Sequence, residues 1–248
     1  MAPFDYGASG IRVRRDIPKA HATFWRRLAE PGAAWSGAQR VTIAAEVRAA
    51  LSCELCARRK QALSPYGLEG EHEAHGCLPA AAVDAVHRIV TDAARLTPDY
   101  LARIAEEGVD DLAYVELLGV VVAVVSIDNF HRAMGFEPEP LPLAKSGEPS
   151  GYRPAEAEPG EAFVPRIPGE ALGDDESDLY PRTRFVPNVI TALSLVPDAV
   201  RDLKTLSAAH YIPMQQVPDI AADPGRAIDR SQIELVAGRV SAKNDCFY

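Results

Sequence analysis

Cysteine is scarce, with 4 in 248 residues. That is too few for a disulfide-stapled scaffold, so any close pair is read as redox-active or metal-binding. Long apolar runs are missing too. The longest, Leu117 to Ile127, is broken by Gly119 and Ser126, whereas a bilayer span needs about 20 apolar residues. Lys and Arg form no extended run and the net charge is −9, which argues against a nucleic-acid partner. Met1 to Arg15 is polar and mixed, without the basic-then-apolar order of a secretory leader. A cytoplasmic address with no membrane partner is expected. Regular apolar alternation flanked by hairpin dipeptides is also absent.

What is present is an ordinary globular balance, 47% apolar and 25% charged, enough for a core. The charge is concentrated. Glu137 to Arg182 holds nine of the 20 prolines, eleven acids and four bases, hence −7 of the −9. Proline removes backbone donors and clustered acids repel, so this stretch is expected to be an acidic linker without long helices or a core. It divides the chain into residues 1–136, 137–182 and 183–248.

The flanking parts read as helices, giving an all-α fold class. Ile17 to Leu28 has helical apolar spacing and is stopped by Glu30-Pro31-Gly32. Ser36 followed by Gln39 is a capping-box signature. Leu78 to Val90 is amphipathic, and Thr97-Pro98-Asp99 is a helix start. Asp110 to Met134 reads as one long helix closed by Gly135; a buried strand at Val120 to Ile127 is the alternative, since valine favours strands. Pro197 opens a helix through His210. Asp229 followed by Gln232 is a second capping box.

A shift of 193 residues superimposes the two capping boxes. Ser36 falls on Asp229, Gln39 on Gln232, Ala44 on Ala237, Val47 on Val240 and Cys53 on Cys246. The register suggests two copies of one helical unit, the second partial. Cys53-Glu54-Leu55-Cys56 is a C-x-x-C motif. If Ser52 caps a helix beginning at Cys53, backbone N–H groups and the helix dipole would stabilise a thiolate there.

These residues resemble the AhpD-like, or carboxymuconolactone decarboxylase, superfamily. Its peroxidatic members carry Glu, eleven residues, Cys-x-x-Cys, three residues and His. The stretch RSQIELVAGRVSAKNDCFY is similar to the approach to that motif, with Glu234 twelve residues before Cys246. The stretch PNVITALSLVPDAVRDLKTLSAA resembles the helix pair before it, and VVVAVVSIDNFHRAMGF the helix after it. The resemblance implies an AhpD-like helical domain followed by a partial second copy. It also implies a homo-oligomer and thiol-based reduction of a small peroxide or disulfide at the expense of a thiol reductant. There the second cysteine attacks and the first resolves.

The chain departs from that pattern. Val41 stands where Glu234 stands in the second register, Glu46, seven residues before Cys53, is the only nearby acid on the preceding helix, and Lys60 occupies the expected His position. The candidate catalytic residues are therefore Cys53, Cys56, Glu46, Lys60, Glu234 and Cys246. Cys56 is the expected nucleophile, Cys53 resolves, Glu46 assists proton transfer and Lys60 stabilises the thiolate. No cofactor and no metal are expected. One alternative is a catalytically degenerate helical module for assembly or binding. Another is a zinc-stabilised helical domain using Cys53, Cys56, His72, His75 and Cys77. His87 and His131 read as surface or satisfied core histidines. Glu116, alone in an apolar helix, must be paired or lie near a site.

Overall fold

The structure is a computed structural model that describes residues 4–160, 163–244 and 246. Among these residues it is all-α. The helices are α1 (Asp16–Leu28), α2 (Gly37–Ala50), α3 (Glu54–Gln61), α4 (Ala80–Asp92), α5 (Pro98–Glu106), α6 (Asp111–Met134), α7 (Asn188–Thr191), α8 (Pro197–His210) and α9 (Arg230–Lys243). The one β feature described is an isolated bridge between Glu158 and Arg166. No described helix is long and apolar enough to cross a membrane.

α6 is the axis of the packing, with α2, α4 and α8 against it. The valine run is helical, and Val120, Val121 and Val124 are all buried. Asp110 accepts the Ala113 N–H at the helix start, and Gly135 ends it in the left-handed conformation at φ 72°. Burial on nearly all sides outweighs the modest helix penalty of β-branched residues. α2 begins with the full capping box, Ser36 and Gln39 each bonding the other's backbone N–H. α3 packs on α4 and α1 on α8. Glu116 is paired, as its burial requires: it faces Arg40 at 3.3 Å and accepts the N–H groups of Ala34 and Trp35.

Two expectations are corrected here. The helix after the turn begins at Glu54, with Cys53 itself in the extended N-cap position. Ser52 Oγ instead bonds the Ala49 carbonyl behind it. The described residues of the proline-rich segment form no helix, but the segment is not a linker without a core. Val164, Ile167, Leu172, Leu179 and Tyr180 belong to the same buried cluster as the residues of α2, α6 and α8. Its backbone is tied down by Lys145 to Ala29, Ser150 to Gly32 and Gly151 to Ala33. Proline disfavours helix here, but an extended chain can still bury selected apolar side chains; Leu143 and Phe163 of the same segment stay exposed.

The two capping boxes open helices of 14 residues each, α2 and α9, whose bounds differ by the same 193 positions. Their surroundings differ. Ala44 and Val47 of α2 are buried, whereas Val236 and Val240 of α9 are exposed. Asp245, Phe247 and Tyr248, at the end of the second register, lie outside the described residues.

Candidate active site

The turn between α2 and α3 sets Glu46, Cys53 and Cys56 against α4. Cys53 is half-buried, and Cys56, in the first turn of α3, is buried. Glu46 lies on the core side of α2 with no exposed surface at all. A carboxylate so placed needs partners to offset its desolvation. It has two: Oε1 accepts the backbone N–H of His75, and Oε2 meets His87 Nε2 at 3.2 Å. The other ring nitrogen of His87, Nδ1, lies 3.3 Å from Cys56 Sγ. Glu46, His87 and Cys56 therefore form one line, all but closed to solvent.

A second line runs beside it. Asp84 Oδ1 meets His72 Nε2 at 3.0 Å. His72 Nδ1 lies 3.4 Å from Cys53 Sγ and 3.8 Å from Cys56 Sγ. Asp84 and His87 are three residues apart on α4, so they share a face. His72 comes from the irregular segment between α3 and α4. That segment is held by Arg59, which donates to the Leu68 carbonyl and to Asp84. Asp84 also accepts from Arg88 and from the Tyr100 hydroxyl. The rings of His72 and His87 sit 4.1 Å apart, centre to centre.

This environment perturbs ionisation. Burial pushes the Cys53 thiol up, but the Cys56 backbone N–H and His72 more than compensate and hold it below its ordinary value. Burial lowers His72, yet Asp84 and the two sulfurs carry it up to about 10. His87 is held low by its burial and by the neighbouring His72 charge. Asp84 resists burial through His72, Arg88 and Arg59 and lies well below the usual carboxylate range.

The predicted residues divide clearly. Cys53, Cys56 and Glu46 come together. Lys60 does not: its side chain is exposed, and among the described residues it makes no ion pair or hydrogen bond. One turn beyond Cys56 the buried position of α3 is taken by Arg59, and Lys60 beside it, near the end of the helix, is exposed. Glu234 accepts from Tyr211 and Arg230 instead of facing a thiol, and Cys246 is exposed. Of the histidine and cysteine cluster, His72 joins the site. His75 contributes only its backbone N–H, and Cys77 is exposed.

The functional residues missed by sequence reasoning are His87 and Asp84. The available signal was Asp84-x-x-His87 on one face of an amphipathic helix. Comparison of the chain with family models, curated proteins and solved structures finds no match.

Proposed function

We propose that the protein is a thiol-dependent oxidoreductase that reduces a small peroxide or disulfide with Cys53 and Cys56, needing no cofactor for the thiol chemistry itself. The observation that carries this reading is the unbroken line Glu46–His87–Cys56. A thiol becomes a nucleophile when an adjacent base takes its proton and a third group orients that base. His87 Nδ1 takes the Cys56 proton, and the Glu46 carboxylate holds the imidazolium from the Nε2 side.

The Cys56 thiolate then attacks the peroxide oxygen and the O–O bond breaks. His87 returns its proton to the leaving alkoxide, giving an alcohol and a Cys56 sulfenic acid. The Cys53 thiolate attacks Cys56 Sγ, expels hydroxide, which is protonated to water, and closes the disulfide. A thiol reductant must restore the pair by exchange. His87 supplies from α4 the histidine that the superfamily motif would place at position 60. This supports the enzyme reading over that of a degenerate module.

The test is stopped-flow peroxide consumption by reduced, metal-free protein with a dithiol reductant. Cys56→Ser is expected to abolish it, and His87→Asn to slow it by about 100-fold, the usual weight of a general base. Wild type that consumes peroxide no faster than the Cys53→Ser/Cys56→Ser double variant would overturn the proposal.

A further inference from the structure

Cys53, Cys56, His72 and His87 place one ligand atom each within 4.8 Å of all the others. A thiol pair needs one base to activate it. This site has two imidazoles, each presenting Nδ1 to the sulfurs, and each with Nε2 occupied by its own carboxylate. An Nε2–H donated to a carboxylate aims Nδ1 at the sulfurs, and its lone pair serves a metal once the Nδ1 proton that the metal-free His72 holds is displaced. Two imidazole lone pairs and two sulfurs then converge on one point. That is redundant for thiol activation, but it is the donor set of a tetrahedral Cys2His2 site.

The dimensions agree. Zinc–sulfur bonds of about 2.3 Å and zinc–nitrogen bonds of about 2.05 Å at tetrahedral angles put sulfur and nitrogen roughly 3.5 Å apart. Three of the four sulfur–nitrogen separations are 3.3, 3.4 and 3.8 Å, and the fourth, Cys53 to His87, falls within the 4.8 Å that bounds the group. Carboxylates behind the ring nitrogens are the usual outer shell of a zinc-bound histidine, fixing its tautomer and orientation. Asp84 and Glu46 occupy those places. Asp84 is itself fixed by Arg59, Arg88 and Tyr100.

We infer that the reduced protein binds one zinc ion through Cys53, Cys56, His72 and His87. The ligand set replaces the one drawn from spacing, with His87 in place of His75 and Cys77. It also replaces the expectation that the protein takes no metal. Four protein ligands leave no open position, so the ion is structural. It ties the segment carrying His72 to α3 and α4. It also competes with the chemistry above. The zinc-bound pair is two thiolates; oxidation by one peroxide and two protons gives the disulfide, an alcohol and water, and frees the ion. Metal and disulfide are alternative states of the same sulfurs.

The experiment loads the reduced full chain with excess zinc, desalts it and counts metal by mass spectrometry, with cobalt loading in parallel. Wild type should retain about one zinc per chain and give the intense visible absorption of tetrahedral cobalt thiolate. Cys53→Ser, His72→Ala and diamide-oxidised wild type should each retain less than roughly a fifth of that. Cys77→Ser and Cys246→Ser should retain all of it. Wild type that retains no zinc, or gives the weak spectrum of octahedral cobalt, overturns the inference without recourse to any variant. So does zinc that survives in Cys53→Ser/His72→Ala. Failure here is separate from failure of the oxidoreductase reading, which is judged on peroxide consumption by the metal-free protein.

Discussion

Glu46 carries a consequence that its neighbours do not share. Its side chain has no exposed surface, and its two oxygens serve different partners, the His75 backbone and His87. Glu46→Gln keeps an oxygen for the His75 N–H but presents a neutral amide to His87. The imidazolium formed when Cys56 gives up its proton then loses its counter-charge. Peroxide consumption at neutral pH is expected to fall by about 10- to 100-fold, with unchanged far-ultraviolet circular dichroism. A merely structural role would change the dichroism or the melting temperature and leave the pH profile of the rate in place. Lys60→Met, by contrast, should leave the rate within about twofold, because an exposed charge is screened by water. A tenfold loss from that change would mean that Lys60 reaches the thiolate after all. Cys53, Cys56 and Glu46 were legible in the sequence as a local group. His87 was not, because it meets Cys56 across 31 residues of chain, and local spacing carries no record of which faces α3 and α4 present to each other. The same is true of the burial of Glu46, an acid that a helical pattern alone places on the solvated face.

At the scale of elements, the local signals translated directly. Ser36 with Gln39, Thr97, Asp110 and Asp229 with Gln232 all accept backbone N–H groups where their helices start. Caps are decided by residues within one turn, so they are readable without tertiary knowledge. Closeness between helices is not readable in that way. Gly119 interrupts the apolar run of α6 and looks like a flaw in the helix. It lies where α8 crosses, and a Cβ added there would stand 2.7 Å from the Ala199 Cβ. The gain in helix propensity from Gly to Ala is about 1 kcal/mol. Overpacking against a rigid methyl on the facing helix costs about 1–3 kcal/mol. Gly119→Ala is therefore expected to lower stability by up to about 2 kcal/mol in urea unfolding. Adding Ala199→Gly should recover the packing part of the loss, leaving a positive coupling between the two sites. Purely additive effects would show that α6 and α8 do not meet at this point.

Over the whole molecule, the proline-rich segment and the chain before α1 are bound into one core by contacts that composition does not announce. Acids and prolines in 137–182 pointed to solvent, but Ile167 and Leu179 have no exposed surface, and a handful of apolar residues spaced between prolines is enough to anchor an extended chain. The N-terminal side is held by a chain of rings. His210 Nε2 meets His21 Nε2 at 2.6 Å, and the Tyr6 hydroxyl joins His21 Nδ1 and His131 Nε2 at 2.8 Å each. His131 Nδ1 faces the Glu137 carbonyl, so it must donate. Its Nε2 then accepts from Tyr6, Tyr6 accepts from His21 Nδ1, and His21 Nε2 accepts from His210. In that sequence a proton added to His21 Nε2 would face the N–H of His210. Burial first of all, and the repulsion between protons on neighbouring rings, accordingly lower His21 to about 3, and burial lowers His210 as well. The unfolded chain takes up a proton on His21 near its ordinary value of about 6.5, whereas the folded chain does not until about 3. Stability is therefore whole above about pH 6.5 and is lost as pH falls toward 3. The His21 share between pH 7 and pH 4 is on the order of 2–3 kcal/mol. Asp202, pushed up to about 6 by burial, works with the opposite sign but is common to wild type and variant. His21→Gln keeps a donor and an acceptor and removes the titration. Its urea stability should fall between pH 7 and pH 4 by on the order of 2–3 kcal/mol less than that of wild type. Parallel losses in the two proteins would show that acid acts elsewhere and that the ring chain is not closed to protons.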